Sequence, residues 1–222
     1  MLTAYMANDW IAGGNDYGIM SGPKHFAFND QETNRAGVAT FVSEQRAREC
    51  ELRGFQLCVE SGNADTLMTT FARVGSVYGS AHTGLIQGIL RDEWDYKGIV
   101  FSDMVNGPVY MNAEAAVIAG TDMMTSGSDT NLEFDGWTNF TPEGIAGDAR
   151  MMERVQEATH HVMWTLANSN FMNGFDETSH TTRLYPWYER IALGIIAGAG
   201  VLTLISLIAY IVSLVKSKKK EA

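Results

Sequence analysis

Three short stretches carry residue types that could do chemistry at places where a fold would use them. Lys24-His25-Phe26 closes an apolar run and is followed at once by Asn29, Asp30, Glu32 and Arg35. The run Gly98 to Ser102 reads as a buried strand that delivers Asp103 at its C-terminal end, and the run Thr66 to Phe71 delivers Arg73. In a parallel α/β fold the C-terminal ends of the strands open on one rim, so these three stretches would converge there. A carboxylate set beside an ammonium and an imidazole suits a nucleophile. The plainer readings are a helix cap after a strand for Asp103, a snorkelling surface lysine for Lys24, and a satisfied core histidine for His25.

The elements that must hold these residues follow from periodicity. Strands are expected near Ile19 to Phe28, Thr66 to Phe71, Gly98 to Ser102 and Asp122 to Thr125. Ser43 can cap a helix running to about Ser61, with Phe55, Cys58 and Val59 on its apolar side. Thr83 to Trp94 repeats Leu85, Ile86, Ile89 and Leu90 at helical spacing, and Asn112 opens an Ala-rich helix that closes at Gly120. Thr141-Pro142-Glu143 is a cap, a first-turn proline and a first-turn acid, opening a helical region that reaches Ser169. Strands alternating with helices argue a parallel sheet covered by helices, either an open doubly wound sheet or part of a (β/α)8 barrel. A full barrel takes about 250 residues, so a barrel here would be about its second half. Residues 171 to 190 lack apolar periodicity and read as a linker.

The 222 residues carry a net charge of -10, and the last 32 hold Lys216, Lys218, Lys219 and Lys220 against Glu221, a local +3 that leaves -13 for the rest. Such an acidic body lacks the electrostatic attraction that nucleic-acid binding needs, so nucleic acid is excluded as the main partner. Cys50 and Cys58 fall eight apart in one expected helix, about 12 Å between Cα atoms at helical rise, beyond disulfide reach; both read as buried, inert thiols. His82, His160, His161 and His180 have no metal-ligand spacing and read as structural or surface. Asp122, Asp129, Glu133 and Asp135 lack the alternation of a calcium loop and read as a solvated acidic loop. No metal or cofactor is implied. Asn139-Phe140-Thr141 fits a glycosylation sequon, and the 12 methionines read as core filler.

Ile191 to Val215 runs 25 positions without a charge, roughly 37 Å as a helix against a hydrocarbon core of about 30 Å. Tyr185, Trp187 and Tyr188 before it and KSKKK after it match an aromatic belt and the positive-inside rule. This predicts a single-pass membrane protein with its main domain extracytoplasmic and its tail cytoplasmic. Thr203, Ser206 and Ser213 can bond back to the helix, and Gly194 and Gly198 have the spacing of a helix-pairing motif or of small residues tolerated in lipid. The first residues lack the basic and apolar regions of a signal peptide, which suggests a chain that begins partway through a longer protein or a cut gene. The expected domains are 1–175, a linker 176–190, a transmembrane helix 191–215 and a tail 216–222.

KHFAFNDQETNR (24–35), LMTTFARVGSVYG (67–79), LRDEWDYKGIVFSDM (90–104) and AGTDMM (119–124) together closely resemble glycoside hydrolase family 3, the β-glucosidase family. The likeness runs in order from about Gly22 to Gly174 and includes a helix ending ANSNFMNG. The resemblance implies a partial (β/α)8 barrel and a retaining double displacement on a carbohydrate substrate such as a β-glucoside, with Asp103 as the nucleophile. It implies that Lys24 and His25 bind sugar hydroxyls, and that Arg73, Glu32 and Arg35 shape the pocket. Retention needs a second carboxyl group about 5–5.5 Å away; in the family this acid/base commonly comes from a separate sandwich domain, which is not present here. Phe71-Ala72 stands where the family often has Tyr-Asn, and Met104 stands where a sugar-stacking Trp is frequent. The early barrel strands have no counterpart. Some members put the sandwich first and the barrel last, an order that a membrane anchor after the barrel fits.

Two functions follow as expectations. One is a glycosidase module at the outer membrane face, its acid/base supplied from outside this chain. The other is an inactive remnant that binds sugar or a partner protein. A half barrel exposes a sheet edge, so either reading expects a missing N-terminal segment, a partner chain or self-association.

Overall fold

The computed structural model describes residues 2–35, 38–61, 63–104, 112–125, 142–172, 178, 180 and 186–218. They belong to two units, Met1–Phe175 and Asp176–Ala222.

In the first unit, chain order runs α1 (Leu2–Asn15), β1 (Ala39–Thr40), α2 (Glu44–Arg46), a π-helical segment Ala47–Glu51, and α3 (Arg53–Glu60). There follow β2 (Thr66–Met68), β3 (Arg73–Val74), β4 (Val77–Tyr78), a second π-helical segment Gly84–Glu93, β5 (Ile99–Met104), α4 (Ala113–Ala119), β6 (Met123–Thr125), α5 (Pro142–Gly147) and α6 (Ala149–Asn168). The main sheet has the order β2-β5-β6, all parallel. A parallel bridge from Phe26 to Thr69 adds the Pro23–Phe26 segment on the far side of β2. Four successive strand segments thus lie side by side in sequence order, each joined to the next through helix. That sequential order is common to βα barrels and to either half of a doubly wound sheet, and no order reversal falls among the described strands.

Each element follows from its residues. Ile99-Val100-Phe101 combines β-branched and aromatic side chains, which favour strand. Gly98 precedes it because any Cβ there would strike the Asp65 carbonyl. Ser43 Oγ accepts from the Arg46 amide and starts α2. Asn112 caps α4 by accepting from the Ala115 amide, and Gly120 closes it at φ +103°, a left-handed turn that favours glycine. The helical layer packs on one face of the sheet: Leu52, Leu85, Ile86 and Leu90 meet Leu67 and Val100, all buried. Phe26 stands at the centre of this core, edge-on to Phe55 at 5.3 Å and to Trp94 at 6.0 Å.

A small second sheet sits above β2. The loop after Phe26 and the loop after β2 are zipped together by β1, parallel to β3, and by the β3–β4 hairpin. At the opposite end, α6 runs beneath the starts of the strands. His161 Nδ1 lies 2.8 Å from Asp122 Oδ1, just ahead of β6. The Thr165 hydroxyl accepts from the Ile99 amide at 3.0 Å and donates to the Asp65 carbonyl at 3.4 Å. The Asn170 amide donates to the Gly18 carbonyl at 3.1 Å.

The second unit contains α7 (Trp187–Lys218), of which Trp187–Ser213 is long and apolar enough to cross a membrane, its 18-residue apolar window having a mean hydropathy of 2.5. Thr203 Oγ1 donates back to the Ala199 carbonyl at 2.8 Å, so its hydroxyl is satisfied within the helix.

Several sequence expectations need correction. The final helical region is broken at Asp148, whose side chain accepts the Arg150 and Met151 amides and starts α6 afresh. Cys58 is buried but Cys50 is exposed, at the wall of a cavity between α1 and α3 rather than in the core; both are free. Met151 is buried, whereas Met6, Met104, Met123, Met163 and Met172 are exposed and fill no core. Asp122 is not part of a solvated loop: its side chain is 2% exposed because Arg91 reaches it from the Gly84–Glu93 helix. Thr141, the Asn139 sequon, Asp129, Glu133, Asp135, most of the linker and residues 219–222 lie outside the described residues.

Candidate active site

Asp103 sits near the C-terminal end of β5. Alternation along the strand turns Val100 and Ser102 into the helical layer, where both are fully buried, and places Asp103 on the opposite face with Ile99 and Phe101. The loop after Phe26 folds over this end of the sheet, and one side chain from it and one from the strand segment before it converge on one carboxylate oxygen. Arg35 Nη2 donates to Asp103 Oδ2 at 3.0 Å, and His25 Nε2 lies 3.2 Å from the same atom. The other oxygen, Oδ1, accepts the Met104 amide at 2.8 Å. With its side chain 11% exposed, Asp103 is reachable yet largely shielded.

Arg35 is held from three sides. Nη1 donates to Glu32 Oε2 at 2.6 Å, Nη2 holds Asp103, and the guanidinium lies over the Phe71 ring at 4.2 Å. Asn29 Nδ2 donates to Glu32 Oε1 at 3.2 Å and lies 3.4 Å from His25 Nδ1. Asp103, Arg35, Glu32, Asn29 and His25 therefore form a closed ring of hydrogen bonds. Burial holds the His25 imidazole below its ordinary pKa, with Lys24 and Arg35 acting in the same direction against the pull of Asp103. A neutral imidazole has one donor and one acceptor nitrogen, and the ring uses both.

Of the residues expected at the site, the structure brings together His25, Glu32, Arg35, Phe71, Asp103 and the Met104 backbone. The Met104 side chain is exposed at the rim. Lys24 is exposed and lines a cavity of about 590 Å³ with Pro23, Ala4, Ala7, Cys50 and Arg53, beside the helical layer. Arg73 belongs to the β3–β4 hairpin instead: Nη2 donates to the Tyr78 hydroxyl at 2.8 Å and its guanidinium lies over the Tyr78 ring at 4.7 Å. Asn29 is the residue whose part sequence reasoning missed; its spacing of three from Glu32 was the available signal.

The chemistry open to this arrangement is nucleophilic. A shielded carboxylate at a strand end, fixed by a guanidinium and an imidazole, is a group type that can act as a nucleophile. Glu32 is the second carboxyl group of the ring, but the hydrogen bond from Arg35 holds its pKa down. A general acid must keep its proton near working pH, so Glu32 suits a clamp on Arg35 rather than a proton donor. Among the described residues, no group of three or more metal-ligating side chains comes together.

Comparison with known proteins places this parallel βα fold and its shielded carboxylate in a definite family. Residues 1–163 match the profile of the glycosyl hydrolase family 3 N terminal domain, and the chain belongs to that family. The chain is 34% identical over 127 residues to Probable beta-glucosidase J of Emericella nidulans, covering 57% of this chain and 15% of that protein. It is 29% identical over 169 residues to Beta-glucosidase B of the same organism, covering 76% of this chain and 19% of that protein. Beta-glucosidase 3B from Thermotoga neapolitana, solved in complex with glucose, superposes with a TM-score of 0.67 at 28% identity, covering 77% of this chain and 24% of that one. A beta-glucosidase from Paenibacillus barengoltzii also gives 0.67, at 27% identity over 82% of this chain and 20% of the other. The chain thus spans about a seventh to a fifth of the curated relatives named here. The family region reaches back through α1, ahead of Gly22, where the likeness carried by the sequence motifs begins.

Proposed function

We propose that this chain is the nucleophile-bearing part of a retaining glycoside hydrolase that acts on β-glucosides or related sugars. Asp103 attacks the anomeric carbon, the glycosidic bond breaks, and a covalent glycosyl-enzyme is hydrolysed by water in a second displacement. The observation that carries the reading is the seating of Asp103 at the end of β5, with one carboxylate oxygen held by both His25 and Arg35. His25 meets sugar hydroxyls; Arg35, Glu32 and Phe71 hold the pocket; Arg73 braces its rim, and Met104 offers an apolar edge, while Lys24 reaches the sugar only if its side chain leaves the cavity beside the helical layer. The proton donor comes from outside this chain, as in relatives whose acid/base lies on a separate domain; Glu32, the second carboxyl of the ring, is held below its ordinary pKa by the Arg35 hydrogen bond and does not suit the role.

The same reading makes residues 1–175 part of a (β/α)8 barrel, about its second half. Parallel sheets are ordinarily buried on both faces, and here Met68, Ile99 and Phe101 on the Asp103 side are only half buried while Met123 is 48% exposed. A preceding segment, a partner chain or a second copy completes that face. Residues 191–215 cross the membrane, 176–190 link them to the extracytoplasmic domain, and 216–222 form the cytoplasmic tail.

The test is labelling of the detergent-solubilised chain with a 2-deoxy-2-fluoro glucoside, with mass spectrometry of peptides spanning residues 98–108. An adduct on Asp103 supports the assignment. An adduct on another residue, or none in a chain shown to be folded and supplied with the remainder of its barrel, overturns it.

A further inference from the structure

The ring around Asp103 has a direction, and it turns on the one member whose side chain is a neutral amide. An amide NH2 carries two donors and the amide oxygen carries none. Asn29 Nδ2 faces two groups at once, Glu32 Oε1 at 3.2 Å and His25 Nδ1 at 3.4 Å. Glu32 is ionised, its pKa lowered by the Arg35 hydrogen bond, so it can only accept. Turning the amide over would set oxygen against carboxylate oxygen. In the orientation seen, the Asn29 amide oxygen is buried with no partner among the described residues, so its two donor contacts alone fix the side chain.

With an N–H aimed at His25 Nδ1, that nitrogen must be the acceptor of a neutral imidazole, and the proton resides on Nε2. Nε2 is the nitrogen 3.2 Å from Asp103 Oδ2. We propose that Asn29 is a positioning residue that fixes His25 in its Nε2–H tautomer, so that the imidazole donates to the Asp103 carboxylate rather than competing with it. Resting on the nucleophile assignment above, this adds a specific consequence. The opposite tautomer would place a lone pair against the carboxylate and tilt the imidazole out of the ring. Glu32 acts one step further back: it orients Asn29 and is itself held by Arg35, which also grips Asp103.

The experiment reads the tautomer directly and needs no turnover. In the full 222-residue chain in detergent micelles, with imidazole-15N histidine and a His25→Gln variant to assign the signal, the two ring nitrogens report which bears the proton. Wild type is expected to show Nε2 protonated and Nδ1 as the bare nitrogen at pH 7.5. Asn29→Asp places an acceptor beside Nδ1. It is expected either to move the proton to Nδ1 or to raise the imidazole titration by about one pH unit or more, as a nearby carboxylate does. Asn29→Leu removes the donor and is expected to give a mixture of tautomers. Nδ1–H in the wild type overturns the proposal, and so does an Asn29→Asp spectrum unchanged from wild type in both tautomer and titration. A wild-type Nε2–H signal that responds to Asn29→Asp, in a chain that takes no fluoroglucoside label even when supplied with the remainder of its barrel, would uphold the positioning role and count against the hydrolase reading alone.

Discussion

Arg35 and Asp103 are 68 residues apart in sequence, and the structure puts Nη2 of one 3.0 Å from Oδ2 of the other. Both are mostly shielded, with side-chain exposures of 20% and 11%. The same guanidinium holds Glu32 and covers Phe71. Arg35 therefore ties together the loop after the first strand segment, the bend after β2 and the end of β5, the three pieces of chain that make the pocket.

Replacing Arg35 by Met keeps the stem but removes these bonds. Breaking a largely buried pair leaves an uncompensated carboxylate, so a loss of about 1–3 kcal/mol is expected once partial exposure is discounted. Urea unfolding of the chain measures it. Because Arg35 is one of the groups lowering the His25 pKa, the same variant is expected to raise the His25 titration, read by NMR.

For Asp103→Asn, the amide is isosteric but is no longer an anionic nucleophile. Turnover of an aryl glucoside by the completed enzyme is expected to fall by at least about three orders of magnitude, with the fold intact by circular dichroism. Wild-type-like turnover would remove Asp103 from the mechanism.

At the other end of the sheet, Arg91 Nη2 meets Asp122 Oδ2 at 2.7 Å with side chains only 7% and 2% exposed, and the Val100 amide donates to the same oxygen. Asp122→Ala is expected to cost about 3–5 kcal/mol, the range for breaking a buried ion pair. Lys97→Ala breaks a pair with Asp95 whose side chains are 56% and 80% exposed, and is expected to change stability by no more than about 0.5 kcal/mol. Paired denaturation midpoints test the contrast.

Burial is the leading cause lowering the pKa values of both His25 and His82. A histidine whose folded pKa lies below its unfolded value binds fewer protons when folded, so stability rises with pH across that interval and falls on acidification. The expected loss begins as pH drops through the ordinary histidine value of about 6.5. His82→Gln should flatten the profile between pH 7.5 and 5.5, measured by thermal unfolding; a profile as steep as wild type would count against burial of His82 as the cause.

What could be read in the sequence was local. The runs ending at Phe26, Phe71 and Ser102 placed His25 and Asp103 on a common rim, because β-branched and aromatic runs with a helix between them admit few other arrangements. Asn112 and Gly120 marked α4 because capping chemistry is a matter of neighbouring residues. What was missed was either too short or too distant. Two-residue strands such as β1, β3 and β4 leave no periodic trace, so Arg73 was expected on the wall of the site while it pairs with Tyr78. Asp122 looked like one acid among several until Arg91, 31 residues back, supplied its partner. Helix α1 buries Ala4 and Ile11 while Leu2, Tyr5, Met6 and Trp10 face outward, which inverts the usual meaning of large apolar residues.

Helix α6 touches Asp122, Ile99, Asp65 and, through Asn170 just beyond it, Gly18. The contact between Thr165 and Asp65 alone closes a span of 100 residues, and such long-range closures come late in folding. During synthesis the strands leave the ribosome before the element that fastens their starts. The starts of the strands can therefore be fastened only after α6, which follows all of them in the chain, has been made.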